Sequence, residues 1–105
     1  MKKGADISKE KINGETPLFK AVRDGHENIV KYLHQLGADL NKEKEDGKTP
    51  LFIACNREKI VKYLIKERGA DVNKEDKYGE TPIFSACESE NDKIIKYLIK
   101  KNKYK

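Results

Sequence analysis

Three sets of residues in this chain of 105 could carry chemistry. Gly47-Lys48-Thr49 reads like the tail of a phosphate-binding loop. Such a loop needs a glycine five residues ahead of Gly47, so that its backbone N–H groups can curl around the anion, and the residue there is Lys42. It must also run into a helix whose first turn offers free N–H groups, and Pro50 has none to give. A nucleotide site is therefore rejected. The two histidines, His26 and His34, sit among no carboxylates spaced for a metal or a catalytic relay, and structural roles are expected for both. Cys55 and Cys87 are the only thiols, with no CxxC pair and no base nearby in sequence to make a nucleophile of either.

Composition narrows the function classes further. Hydrophobic residues make up 36% of the chain and charged residues 39%, which fits a thin core in an elongated shape better than one deep core. No apolar run approaches the ~20 residues that span a bilayer, and no apolar signal region follows Met1-Lys2-Lys3. A cytoplasmic setting is expected, with the nucleus as an alternative. The net charge is +5, but only three of the 23 basic residues are arginines. Readers of nucleic acid lean on arginine forks for phosphate and guanine.

The elements that position these residues follow from a repeat. Thr-Pro occurs at Thr16-Pro17, Thr49-Pro50 and Thr81-Pro82, at steps of 33 and 32 residues, within "NGETPLFKAV", "DGKTPLFIAC" and "YGETPIFSAC". Each is followed by "NIVKYL", "KIVKYL" or "KIIKYL". "GADISKE", "GADLNKE" and "GADVNKE" begin at Gly4, Gly37 and Gly69. Threonine is a good N-cap, and proline suits the first helical position. Each Thr-Pro thus starts a short helix, with Leu18, Ala21 and Val22 on one face, then Leu51, Ala54 and Cys55, then Ile83, Ala86 and Cys87. A second helix follows each polar turn. Its buried stripe is Ile29, Val30 and Leu33 in the first copy; Ile60, Val61, Leu64 and Ile65 in the second; Ile94, Ile95, Leu98 and Ile99 in the third. Gly37 and Gly69 should close it in the left-handed conformation, with Asn102 doing so in the third copy. Helices of about ten residues are unstable alone and must stack. Because stacked helices lie roughly 8–10 Å apart, Cys55 and Cys87 are too distant for a disulfide and should be small core residues.

Gly-x-Thr-Pro-Leu-x-x-Ala, then Ile-Val-x-x-Leu, then Gly-Ala-Asp-x-Asn, at a period near 33, resembles the ankyrin repeat, from Gly4 to about Lys103. The resemblance implies an all-α solenoid of stacked helix–turn–helix repeats joined by projecting β-hairpin-like turns. Residues 1–12 would be the tail of a partial repeat, 13–45 repeat 1, 46–77 repeat 2, and 78–105 repeat 3 with a C-terminal cap. The chain departs from the family pattern at Phe19, Phe52 and Phe84, where histidine is usual. Repeat 2 also lacks two residues between its apolar blocks, which should shorten the loop beside Arg57.

A solenoid needs polar ends. The late lysines, Lys93, Lys96, Lys100, Lys101, Lys103 and Lys105, are expected to cap the C-terminal end. At the N-terminal end, either a longer array continues before Met1 or another copy covers the face; the first is preferred, and self-association is a live expectation.

In the family, partners bind along the turn tips and the exposed side of the first helices. On this chain that implies Ile12, Asn13 and Glu15; Glu45, Asp46 and Lys48; Lys77, Tyr78 and Glu80; with Arg23, Asp24, Asn56, Arg57, Glu88 and Ser89 from the first helices. Tyr78, Arg23 and Arg57 are favoured, because interface anchors are usually aromatic or arginine. The function expected is non-enzymatic protein binding, without cofactor or small-molecule substrate. The alternative is an electrostatic adaptor, in which Lys31, Lys62, Lys66, Lys96 and Lys100 form a ridge that attracts nucleic acid or acidic membrane. A solvated face is preferred for that ridge, and Tyr32, Tyr63 and Tyr97 beside it should pack between repeats.

Overall fold

The computed structural model describes residues 6–68 and 70–103. Six helices follow in order: α1 (Pro17–Arg23), α2 (Glu27–Gln35), α3 (Pro50–Ile53), α4 (Glu58–Arg68), α5 (Pro82–Glu88) and α6 (Asp92–Lys103). No strand occurs among the described residues. Helices α1, α3 and α5 neighbour one another in an inner row, and α2, α4 and α6 in an outer row. The stack measures 44 × 26 × 25 Å, so the charge-rich composition is accommodated by an elongated body. None of the described helices is long and apolar enough to cross a membrane.

Each inner helix begins at Thr-Pro, as expected, but not by the expected bond. Thr16, Thr49 and Thr81 have extended backbones at the N-cap, and none caps through its hydroxyl. The N–H groups of Phe19, Phe52 and Phe84 donate instead to the carbonyl of the threonine three residues back, each at 3.0 Å. Proline removes one donor of the first turn and this backbone bond takes another.

Leu18, Val22, Val30, Leu51, Ala54, Cys55, Ile60, Val61, Leu64, Ala86, Ile94 and Leu98 form one continuous core through all three repeats. The two residues missing from repeat 2 are taken from its helix and not from its loop. Helix α3 has four residues where α1 and α5 have seven, and the turn from Ala54 to Arg57 is longer than its counterparts. Gly37, at φ +103°, closes α2 as expected. The corresponding end at Gly69 lies outside the described residues. Helix α6 runs through Asn102 to Lys103, so Asn102 does not end it.

The expected burial fails at both ends of the stack. Ile29, in the first described repeat, is 49% exposed, where its counterparts Ile60 and Ile94, each with a described repeat before it, are buried. In the last described repeat, Phe84 is 50% and Ile99 53% exposed, and Cys87 is exposed. The C-terminal end face therefore exposes Phe84 and Ile99, with Lys93, Lys96, Lys100 and Lys101 exposed along α6; the Lys103 side chain and Lys105, also expected in the cap, lie outside the described residues. Between repeats the outer row packs through tyrosines, as expected for Tyr63 and Tyr97. Tyr32, in the first repeat, is 60% exposed.

The Tyr63 hydroxyl lies 2.7 Å from His34 Nδ1, with the two rings edge to face. His34 is half-buried and structural, as its position in the repeat implied. Ile65 stands where His34 does, so the buried Tyr97 hydroxyl has no partner. Burial also pushes the Tyr97 phenol up, against the opposing pull of Lys62. These two tyrosines should answer oppositely to loss of the hydroxyl. Tyr63→Phe should cost about 1 kcal/mol, while Tyr97→Phe should be neutral or stabilise by a similar amount. Urea unfolding of the two variants measures both.

Candidate functional site

The projecting turns are built alike. Lys11, Lys44 and Asp76 each open a tight turn, with the N–H of Gly14, Gly47 and Gly79 donating back to their carbonyls at 2.9–3.1 Å. The same three residues donate to the carbonyls of Glu15, Lys48 and Glu80 at 2.8–2.9 Å, which closes each turn. Neighbouring tips are joined by the backbone: Glu45 donates to the Asn13 carbonyl at 2.7 Å and Lys77 to that of Asp46 at 2.9 Å. Gly47, at φ +86°, allows this approach, since a Cβ there would lie 3.0 Å from the Lys77 nitrogen. The tips thus form a ladder that sets their spacing without regular strands. Behind each tip, Asp6, Asp39 and Asp71 accept the N–H two residues on at 2.8–2.9 Å, which gives the Gly-Ala-Asp aspartates their role.

The third tip is organised by Asp76, whose side chain is fully buried. One carboxylate oxygen accepts from the N–H groups of Tyr78 and Glu80, each at 2.9 Å, and the other pairs with the Lys48 ammonium. Burial raises the Asp76 carboxyl, but the ammonium and the two N–H groups outweigh it and hold the group below its ordinary value. Lys48 is likewise lowered by burial and raised more by Asp76. Its ammonium also sits 5.5 Å from the Phe52 ring centre and 5.4 Å from that of Tyr78. A partly buried lysine between two rings is thus pinned by one carboxylate, and Tyr78 rests against it with 74% of its surface exposed.

The expected contact residues divide under this geometry. Ile12, Glu45, Lys77 and Tyr78 project from the tips into solvent. Asn56, Glu88 and Ser89 are exposed on the inner row, and Asp24 is exposed beside Lys20 at 3.0 Å. Glu15 is instead buried, with its carboxylate held by Arg23. Asn13 and Asp46 are half-buried and use their side-chain oxygens to accept the N–H of Glu15 and Lys48, each at 3.1 Å. Glu80 is half-buried beside Asp76. Asp76 itself was missed in the sequence, although an aspartate three residues before a glycine is a turn signature. It hid because lysine fills the same place in the other two tips.

Arg57 is exposed but engaged by its own chain. Its Nη2 donates to the Arg23 carbonyl at 3.1 Å, serving a carbonyl at the end of α1, and its guanidinium covers Gly25. A Cβ on Gly25, whose φ is +76°, would stand 2.8 Å from that guanidinium. Gly25→Ala should therefore lower stability by about 1–2 kcal/mol through strained backbone and displaced arginine together. In an Arg57→Ala background the same change should cost less, since only the backbone strain is left. A thermal-melt cycle over the four proteins separates the two effects.

Elsewhere, chemistry has little to work with. Cys55 is buried, its thiol 3.2 Å from the Leu51 carbonyl and 3.3 Å from that of Pro82, and burial pushes it up to about 12. No group of three His, Cys, Asp or Glu among the described residues is placed to hold a metal ion. On the outer row, Lys31 and Lys62 each pair with a glutamate one turn back at 3.3 Å. They also lie over Tyr63 and Tyr97 of the next repeat, at 5.6 and 5.7 Å.

A family model described as "Ankyrin repeats (3 copies)" matches residues 1–76 and again residues 34–105, and the two matches together span the chain. No curated protein matches it.

Proposed function

The chain belongs to the ankyrin-repeat family, and from that premise we propose that it binds a protein partner along the ladder of turn tips and the exposed edge of its inner helices. Members of the family are generally protein–protein interaction modules and generally not enzymes. The observation that carries this reading is the third tip, where Tyr78 is exposed but already ordered against Lys48. An aromatic side chain fixed before binding loses little entropy on contact, which is what an anchor requires. Ile12, Glu45 and Lys77 would extend the contact along the ladder, with Asn56, Glu88 and Ser89 below. Arg23 and Arg57 act within the fold in this reading, and their effect on binding is indirect.

The outer row gives less support to the electrostatic alternative. Two of its lysines are neutralised by glutamates on their own helix and packed against tyrosines. Capture of partners from the source cells with wild type and Tyr78→Ala tests the proposal. Partner recovery should fall roughly tenfold or more for an aromatic anchor. An unchanged set of captured proteins, or capture abolished by moderate salt in both, would reject this face as the binding site.

A further inference from the structure

The two ends of this stack leave exposed the positions that pack between repeats inside it. Within the chain each repeat seats on the one before through three kinds of contact. In the inner row, Phe19 and Phe52, each with a described repeat after it, are buried, while Phe84, in the last, is half exposed. In the outer row, Ile60 and Ile94, each with a described repeat before it, are buried, while Ile29, in the first, is half exposed. Along the turns, Lys42 pairs with Glu10 and Lys74 with Glu43, each at 2.6 Å. The residues at the same positions that would make the next such pair are Lys9 and Glu75, and neither holds an ion pair among the described residues. At the tips, the N–H of Glu45 and Lys77 reaches the carbonyl of the preceding tip. The Ile12 N–H and the Tyr78 carbonyl make no such backbone bond among the described residues. Gly79 meets nothing within 4 Å, where Gly14 and Gly47 are closely covered.

We infer that two copies of this chain stack head to tail, the first repeat of one seated on the third repeat of the other. Each unmet group on one end has its complement on the other, in the register that already works twice inside the molecule. The apolar, ionic and backbone requirements are met together by a second copy. A partner of other chemistry would have to reproduce all three. Because the contact joins unlike surfaces, it leaves an open end at each step, and the product is a growing stack and not a closed dimer.

Sedimentation velocity over a range of concentrations tests this with the chain as it is. The wild-type weight-average mass should climb with concentration past that of a dimer, without a plateau there. Ile29→Glu blocks the leading face and Phe84→Glu the trailing face, both at half-exposed sites, and circular dichroism confirms that each folds. Each variant alone should be monomeric, whereas an equimolar mixture should form a heterodimer that grows no further. A charge exchange covers the case in which either variant misfolds. Lys9→Glu should weaken association, and adding Glu75→Lys to it should restore association. The inference is overturned if the wild type stays monomeric throughout, which would leave these faces to further repeats or to another protein. It is equally overturned if Phe84→Glu still dimerises while Ile29→Glu does not, the mark of symmetric pairing through the leading face.

Discussion

Asp76→Ala should destabilise the fold by about 2–4 kcal/mol, a large share of the ~5–15 kcal/mol that holds a small domain together. The substitution strands the Lys48 ammonium between two rings and removes the acceptor of two turn N–H groups. Removing one member of a buried pair costs more than the pair is worth, because the survivor still pays for its lost hydration. The estimate sits below the full penalty because Lys48 keeps some access to water, with 21% of its side chain exposed. Acid should act on the same group. In the unfolded chain the carboxyl takes up its proton near 3.8, whereas in the fold it stays ionised to lower pH. The unfolded state therefore binds the proton first. The stability due to Asp76 is present above that value and is lost as pH falls through it toward the folded value. Asp24 and Asp46 are lowered too and add to the slope, so the share of Asp76 is read by difference. Asp76→Asn should unfold with a shallower acid dependence than wild type in urea titrations between pH 6 and 3. Parallel curves would remove Asp76 as the organiser of the tip.

Phe52→Ala should cost about 3–5 kcal/mol, and Phe84→Ala well under half of that in the dilute protein. The two phenylalanines occupy the same position in almost the same local sequence. Phe52 is 3% exposed, and its loss leaves a cavity beside Lys48. Phe84 is half in solvent, so truncation removes less buried surface and opens no cavity. Guanidinium unfolding of both variants at low protein concentration checks the contrast. Equal losses would mean that position in the stack does not set the energetics of these side chains. In a cooperative three-repeat array the Phe52 loss should be felt throughout, since each repeat is stable only on its neighbours.

The repeat itself was legible in outline. Period, helix starts at Thr-Pro, the apolar stripes of Leu18, Val22, Leu51, Ile60 and Leu64, and the turn glycines are all set by local pattern, and local pattern is what a sequence displays. The candidate site was legible only as a set of positions. Glu15, Lys48, Asp46 and Arg57 look on paper like any exposed charge, yet each is engaged within the fold by a partner eight or more residues away or by the turn's own backbone. The cost of the missing residues in repeat 2 fell on α3, because the register of α4 against α2 and α6 had to be kept while a first helix could lose a turn.

By itself, the sequence determined that this protein is a row of helical pairs, since short amphipathic helices with a 33-residue period have no other way to bury their apolar faces. Tertiary structure alone decided which equivalent residues differ in fate. It set Ile29 apart from Ile60, Phe84 from Phe52, and the orphaned Tyr97 hydroxyl from that of Tyr63. Burial belongs to a residue's neighbours in space, and among the described residues the first and third repeats are packed by another repeat on one side only.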